Sequence, residues 1–434
     1  MASLSRTTIG AGDADRALRD RAAQVIPGGM YGHMATTLAP PRAPQFYARA
    51  EGCRLWDADG RDYVDLLSAY GPNLLGYGEP RVLAAARAQM EVCDTTSGPS
   101  GLMVELAEAM VARIADAQWA MFCKNGSDAT GMAVMIARAA TGRRRILTAR
   151  NSYHGAQPWC TPRPVGVLPE ERAHIAHFDY NDLEGLEAAV ADAGEDLAAI
   201  ILTPHRHETF EDQVDVDAAF ARRVRALADR SGALLILDEV RTGFRLAAGG
   251  AWEGLGVAPD LTCWGKVLGN GQPISAVTGG ARAREAAGSV FVTGSFWFSA
   301  APMAAALEVM AQVAEGGYLA RLQSAGRRLR EGLAEQAGRH DFPLTQSGPA
   351  AMPLFRFEDD ADLRRIYRFC DVAIANGALL SPYHNMFTNA AMTPADIDRV
   401  LEATEAAFRD LRARNADLPP VPAPVAARLA AMAR

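Results

Sequence analysis

The chain has 434 residues, more than one hydrophobic core usually spans, so we expect two interlocked domains. Hydrophobic residues make up 49% of the sequence and charged residues 22%, the proportions of an ordinary folded enzyme rather than a disordered or fibrous chain. The net charge of −7 includes no basic block, which argues against nucleic acid as a partner.

The distribution of apolar residues and cysteines argues against a secreted protein, a membrane protein and a protein with a cysteine-based zinc or redox site. The first thirty residues carry charges throughout and lack the apolar core of a signal peptide. No later stretch approaches the roughly 20 apolar residues of a membrane span. The 6 cysteines stand singly, without the C-x-x-C spacing of a zinc or redox site. We therefore expect a cytoplasmic protein with reduced thiols, no metal and no membrane partner.

The first predicted elements are a hairpin and a helix. Residues 53–56 and 63–66 read as strands on either side of the turn Asp57-Ala58-Asp59-Gly60. The segment 101–117 has apolar residues every four positions, which predicts a helix with one buried face: Leu102, Leu106, Met110 and Ile114.

Strands and helices then alternate. Apolar strands are predicted at 119–123, 146–148, 198–203 and 233–237. Helical segments such as 129–140 and 214–229 separate them. This pattern indicates a parallel sheet covered on both faces. Ligands of such sheets bind beyond the carboxyl ends of the strands, so residues that follow each strand are the candidates for chemistry.

A second unit is predicted after about Leu307. Its last clear helix begins at Thr393-Pro394-Ala395-Asp396, where a capping hydroxyl precedes a proline and an acid. A Pro-rich stretch at 418–424 ends this pattern, and residues 425–434 form a short helical tail.

Asp238 and Lys266 are the first candidates for chemistry. Asp238 directly follows the strand at 233–237, and a buried carboxylate there needs a cationic partner. Lys266 is one of very few lysines in an arginine-dominated chain. Its apolar and glycine neighbours favour a desolvated amine of lowered pKa, as a Schiff-base lysine requires. Taken alone, a lysine is more often a solvated surface residue.

Two loops that follow other strands add to this set. Gly126 and Ser127 open a helix and offer free backbone N–H groups and a hydroxyl suited to a phosphate, although such loops are mostly plain helix caps. Tyr153 and His154 follow the next strand and offer an aromatic face, or form an ordinary turn.

The order of these motifs resembles the class III aminotransferases of the fold-type I pyridoxal 5′-phosphate (PLP) enzymes, most closely the glutamate-1-semialdehyde aminomutase branch. The resemblance runs from about Pro27 to the helix at Ile397. The family's D-E-V-x-T-G-F-R stretch is present at 238–245, its P-D-L-T at 259–262, and its G-K at 265–266. Tyr70 begins a segment that looks like the family's border of the substrate.

The resemblance implies an α/β fold with a mainly parallel, seven-stranded sheet between helices. The large PLP-binding domain would span 61–306. A smaller α+β domain would combine the amino-terminal segment 1–60 with the carboxyl-terminal segment 307–434.

The resemblance also implies roles around PLP. Lys266 would form the internal aldimine with the cofactor and later move a proton. Asp238 would pair with the pyridinium nitrogen and keep it protonated. Tyr153 would stack on one face of the ring and Val240 would pack against the other.

Further cofactor contacts follow from the same resemblance. Gly126 and Ser127 would bind the phosphate, with His154 a neighbouring cofactor-binding candidate. Ser295 would reach the cofactor phosphate of a partner subunit, which implies a homodimer.

The sequence departs from the family on the substrate side. The usual Glu-Pro is replaced by a run that contains His205 and Arg206, which are candidates for binding a carboxylate or polar substrate, or belong to a solvated loop. Trp297 lies in an aromatic run that packs locally or narrows the pocket. His384 and Asn385 are candidate polar contacts to the substrate.

Transfer of an amino group from a donor amine to a small aldehyde or ketone is the first functional hypothesis. The alternative is an aminomutase that moves the group within one semialdehyde substrate, with racemisation more distant. A cofactor-binding structural or regulatory protein without turnover is a further alternative. Such a protein would be free to lose Lys266 or Asp238, and the presence of both argues against it. A nicotinamide-dependent enzyme is disfavoured because a G-x-G-x-x-G turn is absent.

Overall fold

The amino-terminal part of the protein combines helices with a small sheet in the computed structural model, which describes residues 12–414 and 417–432. Its elements are α1 (Asp13–Val25), β1 (Tyr47–Glu51), β2 (Arg54–Asp57), β3 (Asp62–Asp65), α2 (Pro80–Val92) and α3 (Leu102–Arg113). β1, β2 and β3 pair in antiparallel fashion, so the predicted hairpin is confirmed. The predicted helix at 101–117 is confirmed as α3, with Leu106 and Met110 buried.

A seven-stranded sheet lies at the centre of the next segment. The strands of this segment are β4 (Trp119–Cys123), β5 (Arg145–Ala149), β6 (Ile175–Phe178), β7 (Leu197–Leu202), β8 (His205–Arg206), β9 (Val214–Asp215), β10 (Leu234–Asp238), β11 (Leu261–Trp264) and β12 (Ser275–Gly279). The large sheet has the order β4-β12-β11-β10-β7-β5-β6. β12 is antiparallel to both of its neighbours, and the other pairs are parallel. The expected mainly parallel α/β sheet is therefore confirmed.

Helices cover both faces of this sheet. They are α4 (Gly126–Thr141), α5 (Leu183–Ala193), α6 (Ala218–Ser231) and α7 (Ala281–Ser289). α4 and α7 share one apolar cluster with the sheet, and α5 and α6 share another. β7 is buried along its whole length between these layers, which explains its continuous apolar sequence.

The helix predicted from Val214 was wrong at its start. Val214 and Asp215 form β9, which pairs with β8 in a separate two-stranded hairpin, and α6 begins only at Ala218. Asp217 caps α6 by accepting hydrogen bonds from the backbone N–H groups of Ala219 and Phe220.

The carboxyl-terminal part forms a second core. Its elements are α8 (Ala300–Glu315), α9 (Tyr318–His340), β13 (Leu344–Ser347), β14 (Leu354–Phe357), α10 (Arg364–Ala375), β15 (Ala378–Leu379), α11 (Pro394–Arg414) and α12 (Ala423–Met432). β15 pairs in parallel with β3 and so completes the small sheet. α11 begins at the predicted proline. α12 begins at Ala423, two residues before the predicted tail at 425–434 and inside the predicted Pro-rich stretch.

The domain boundaries remain predictions. β3 follows the boundary at 60/61 yet pairs with β2 and β15 in the small sheet, and α8 runs across the boundary at 306/307. Within the two described ranges, no helix is long and apolar enough to cross a bilayer.

Candidate active site

Lys266 lies just after β11, where the chain leaves the carboxyl end of that strand. Its backbone has a φ of 44°, in the left-handed region that non-glycine residues rarely adopt. Its amine donates a hydrogen bond of 2.7 Å to the carbonyl oxygen of Tyr70. Burial, followed by the charges of Arg241 and Arg245, lowers the pKa of Lys266 to about 7. About half of the amine is therefore in its neutral, nucleophilic form at pH 7, far more than for an ordinary lysine.

Asp238 ends β10 and belongs to a buried chain of hydrogen bonds. Its Oδ2 lies 2.8 Å from Nδ1 of His154, and its Oδ1 accepts a hydrogen bond from the backbone N–H of Val240. Nε2 of His154 lies 3.0 Å from the hydroxyl of Thr148. These hydrogen bonds fix the orientation of the Asp238 carboxylate, which keeps one negative group at the carboxyl ends of the strands.

The amino terminus of α4 lies beside Val240. Asn125 caps the helix through a capping box with Asp128, which leaves the backbone N–H groups of Gly126 and Ser127 without acceptors among the described residues. A Cβ atom on Gly126 would come within 2.7 Å of Cγ1 of Val240, so only glycine fits there. Free N–H groups at a helix terminus favour an anion.

The loop that follows β5 carries Tyr153 and packs against Ser127 of α4. The hydroxyl oxygen of Ser127 accepts a hydrogen bond from the backbone N–H of Ala156, and the ring of Tyr153 is exposed. A Cβ on Gly155 would meet the Ser127 hydroxyl at 2.4 Å. The structure thus brings the Tyr153 loop against the start of α4.

A wall of rings borders Lys266 on the side predicted for the substrate. The ring of Tyr70 contacts His384 edge-on at 5.4 Å and His33 edge-on at 5.0 Å. Burial lowers the pKa of both histidines below the ordinary value, and the charge of Arg241 adds to this effect at His384. Both rings are therefore neutral hydrogen-bonding groups at neutral pH.

Asn385 is buried beside this wall and binds the guanidinium of Arg241. Its side-chain oxygen accepts a hydrogen bond of 2.8 Å from Arg241, which also donates to the carbonyl oxygen of His207. Burial lowers the pKa of Arg241 to about 10.

The side chains of His205 and Arg206 contact other residues of the β8–β9 hairpin. His205 lies 3.0 Å from Gln213 through Nε2 and 3.0 Å from Asp215 through Nδ1. Arg206 donates to the carbonyl oxygen of Asp212. Their contact with substrate remains a prediction, and no hydrogen bond found in the described part of the chain joins them to Lys266.

Ser295 and Trp297 lie on a loop between α7 and α8. Ser295 is exposed, whereas Trp297 is half-buried and packs against the core beneath α4 and α7. Trp297 thus fits local packing, and its role in narrowing the pocket stays a prediction.

Sequence reasoning missed three residues at this site: Thr148, Arg241 and His33. Thr148 is the one polar residue within the apolar run 146–149, which was a usable signal. Arg241 stands inside the D-E-V-x-T-G-F-R stretch, but nothing in the pattern shows its burial or its bond to distant Asn385. His33 carries no signal, because it lies in a short 3-10 helix (Gly32–Met34) outside the recognised motifs.

These residues fit a PLP molecule. The site combines an amine of lowered pKa, a carboxylate held in place by His154, and a helix terminus with free N–H groups. Gly126 and Val240 form a closely packed cradle beside these N–H groups, in which a Cβ at position 126 would meet Val240. No group of side chains suited to a metal ion occurs in the described ranges.

Comparison with known proteins supports this assignment. A family profile described as aminotransferase class-III matches residues 38–408. An aminopentol aminotransferase of Sphingopyxis macrogoltabida is 51% identical over 411 residues, which cover 95% of this chain and 97% of the relative. A glutamate-1-semialdehyde 2,1-aminomutase of Desulfitobacterium hafniense is 32% identical over 418 residues, with 90% of this chain and 97% of the relative covered.

Solved structures support the same assignment. The FumI protein of a Sphingopyxis species, in its PLP internal aldimine form, has a TM-score of 0.94 at 51% identity. The match covers 95% of this chain and 99% of the FumI chain. An omega-transaminase from Sphaerobacter thermophilus has a TM-score of 0.83 at 26% identity, with coverage of 92% and 98%. The fold is that of the fold-type I PLP-dependent transferases, the cofactor is PLP, and the activity is amino-group transfer. The chain belongs to the class III aminotransferases.

Proposed function

We propose that the amino donor of this enzyme is an aliphatic amine that carries hydroxyl groups. The observation that carries this proposal is the 51% identity, along almost the whole chain, with an aminotransferase named for an aminopentol, an amine with hydroxyl groups. The wall of Tyr70, His33 and His384 beside Lys266 supports it, because these groups form hydrogen bonds without carrying charge at neutral pH.

We propose that Lys266 holds PLP covalently through its amine. When bound, PLP supplies an aldehyde that accepts the amino group and a ring that withdraws electrons from the reacting carbon. The amine of Lys266 takes and returns the proton at that carbon. Its contact with the carbonyl oxygen of Tyr70 keeps the amine at the substrate side.

Asp238 serves as the acid that faces the ring nitrogen in this proposal. Its Oδ2 is held by His154, which Thr148 orients in turn, so the carboxylate keeps one position during turnover. A fixed negative charge favours the protonated ring nitrogen, which strengthens electron withdrawal.

The remaining assignments follow the shape of the site. Gly126 and Ser127 bind the phosphate through their free N–H groups. Val240 packs against one face of the ring, since it borders the cradle above Gly126. Tyr153 covers the other face.

A homodimer completes the site in this proposal. Ser295 lies on an exposed loop, where it contacts the cofactor phosphate of the partner subunit. Phe291 is 88% and Phe296 67% exposed on the same loop, and large exposed aromatic side chains favour burial against another subunit.

The cytoplasm is the proposed location of this enzyme. All 6 cysteines are free, which fits the reducing conditions of the cytoplasm.

The donor half-reaction tests the proposed substrate class. The purified holoenzyme is mixed with hydroxylated amines or with common amino acids, in the absence of an acceptor. We expect hydroxylated amines to convert the visible PLP absorbance to that of pyridoxamine phosphate faster than amino acids do. Conversion by amino acids alone would contradict the proposal.

A further inference from the structure

His207 and Glu208 lie beside the candidate site with unused hydrogen-bonding atoms. His207 is 4% and Glu208 7% exposed. Both ring nitrogens of His207 and both carboxylate oxygens of Glu208 have no hydrogen-bond partner among the described residues. Nε of Arg206 lies 3.8 Å from the Glu208 carboxylate, too far for a hydrogen bond. Buried polar atoms are almost always hydrogen-bonded, so four such atoms in adjacent residues indicate a missing partner.

Arg241 contacts both the His207 segment and Asn385 beside the wall of rings at Lys266. Its Nη1 donates to the carbonyl oxygen of His207 at 3.1 Å and to Asn385 at 2.8 Å. Burial is the main cause of the lowered pKa of His207 and of Lys266, and the charge of Arg241 lowers both pKa values further. The unused atoms therefore lie near the centre of chemistry and not in a remote part of the protein.

The charges around the unused atoms select the ligand. An anion would meet the carboxylate of Glu208, and a cation would meet Arg206 and Arg241. Burial keeps the pKa of His207 well below the ordinary value, so its ring is neutral and offers one donor and one acceptor. A hydroxyl group is uncharged and both donates and accepts hydrogen bonds, which matches the carboxylate and the ring together.

We propose that His207, Glu208 and Arg241 form a hydroxyl subsite, which binds a hydroxyl group of the donor while its amino group lies at Lys266. This inference rests on the proposed donor class and adds the residues that distinguish a hydroxylated amine from a plain one. The subsite binds and orients the substrate and takes no part in bond making or breaking.

Pairs of amines with the same carbon skeleton test the subsite. One pair is 3-amino-2-butanol and 2-aminobutane, and a second pair, 4-amino-2-pentanol and 2-aminopentane, places the hydroxyl one carbon further away. For each amine, kcat/KM of the donor half-reaction is measured by absorbance with the holoenzyme. We expect the wild type to prefer the hydroxylated member of at least one pair by about 10- to 100-fold, the range of a hydrogen bond to a charged group.

Substitutions assign that preference to residues. His207→Phe and Glu208→Met should lower kcat/KM for the hydroxylated amine more than for the plain amine and so reduce the preference to within about threefold, because the hydrogen bonds to the hydroxyl are lost. Glu208→Gln keeps an acceptor and should give an intermediate preference. Arg327→Met, at an exposed position of α9, is the surface control and should keep the full preference.

Four outcomes would overturn the subsite. Equal loss of rate with both members of a pair would mean that the residues only support the structure. An unchanged preference in the variants would mean that the buried atoms bind water alone. A wild type without preference in either pair would reject the subsite and leave the donor class standing, whereas no reaction with any of the four amines would reject both.

Discussion

The two lysines of the chain, Lys124 and Lys266, allow the cofactor attachment to be tested without ambiguity. Lys124 also has a buried amine, which forms no hydrogen bond within the described residues. We expect borohydride reduction of the holoenzyme to fix PLP on Lys266 alone, as read by peptide mass. Lys266→Ala should lose the yellow colour, and Lys124→Arg should keep it. An adduct on Lys124 would contradict the assignment.

The lowered pKa of Lys266 predicts how cofactor uptake depends on pH. Only the neutral amine attacks the aldehyde, so the rate of PLP uptake by the cofactor-free protein should rise with pH and level off above about 7. Below that value each pH unit should slow uptake about tenfold. A free lysine derivative, with a pKa of about 10.4, is the control and should keep accelerating to about pH 10. A protein profile that matches this control would show that the amine is not desolvated.

Individual residues differ in how far the sequence could predict them. The positions of four site candidates at one edge of the sheet were predictable, because Asp238 ends a strand and Lys266, Gly126 and Tyr153 each follow one. Arg241 was not, because its partner Asn385 lies 144 residues away and only tertiary packing joins them.

Helix α4 offers a matched pair of glycines that separates cofactor binding from helix stability. Gly126→Ala would place a Cβ 2.7 Å from Val240, so we expect weaker PLP binding, by about tenfold or more. Gly131→Ala, in the same helix, meets no atom closer than 3.6 Å and should raise the free energy of unfolding by about 0.5–1 kcal/mol.

PLP titration and denaturant unfolding measure the two effects on α4. Unchanged PLP affinity in Gly126→Ala would show that the cradle can widen. Loss of stability in Gly131→Ala would mean that the helix does not tolerate even an ordinary contact at that position.

Elements were predictable where local pattern decides them. The continuous apolar run of β7 and the Thr-Pro start of α11 gave strand and helix within a residue or two. The β8–β9 hairpin was not predictable, because its pairing depends on contacts far along the chain. Gln213 donates to the carbonyl oxygen of Met352, and the backbone N–H of Phe210 donates to the carbonyl oxygen of Tyr383.

At the scale of the whole molecule, mixed dimers test the proposed sharing of sites. In a heterodimer of Lys266→Ala and Ser295→Ala chains, one site would combine Lys266 with Ser295 of the other chain. We therefore expect the mixed dimer to bind PLP with wild-type affinity at one site. Each homodimer lacks either the lysine or the serine at both sites. Weak binding in the mixed dimer would place Ser295 in its own subunit, and a monomeric wild type in light scattering would exclude the dimer.

Helix α12 contacts the segment that follows His207 and Glu208, so under our proposal we expect it to affect substrate selection. The guanidinium of Arg428 lies 4.7 Å from the ring centre of Phe210, two residues beyond Glu208, and Val425 is fully buried in the carboxyl-terminal core. Trimming the chain after Leu418, a convenient way to shorten a protein for crystallisation, would uncover Phe210 and loosen the segment that carries the unused polar atoms. Shortened enzymes and their full-length parents would then rank the same amines differently, although no reacting residue had been touched.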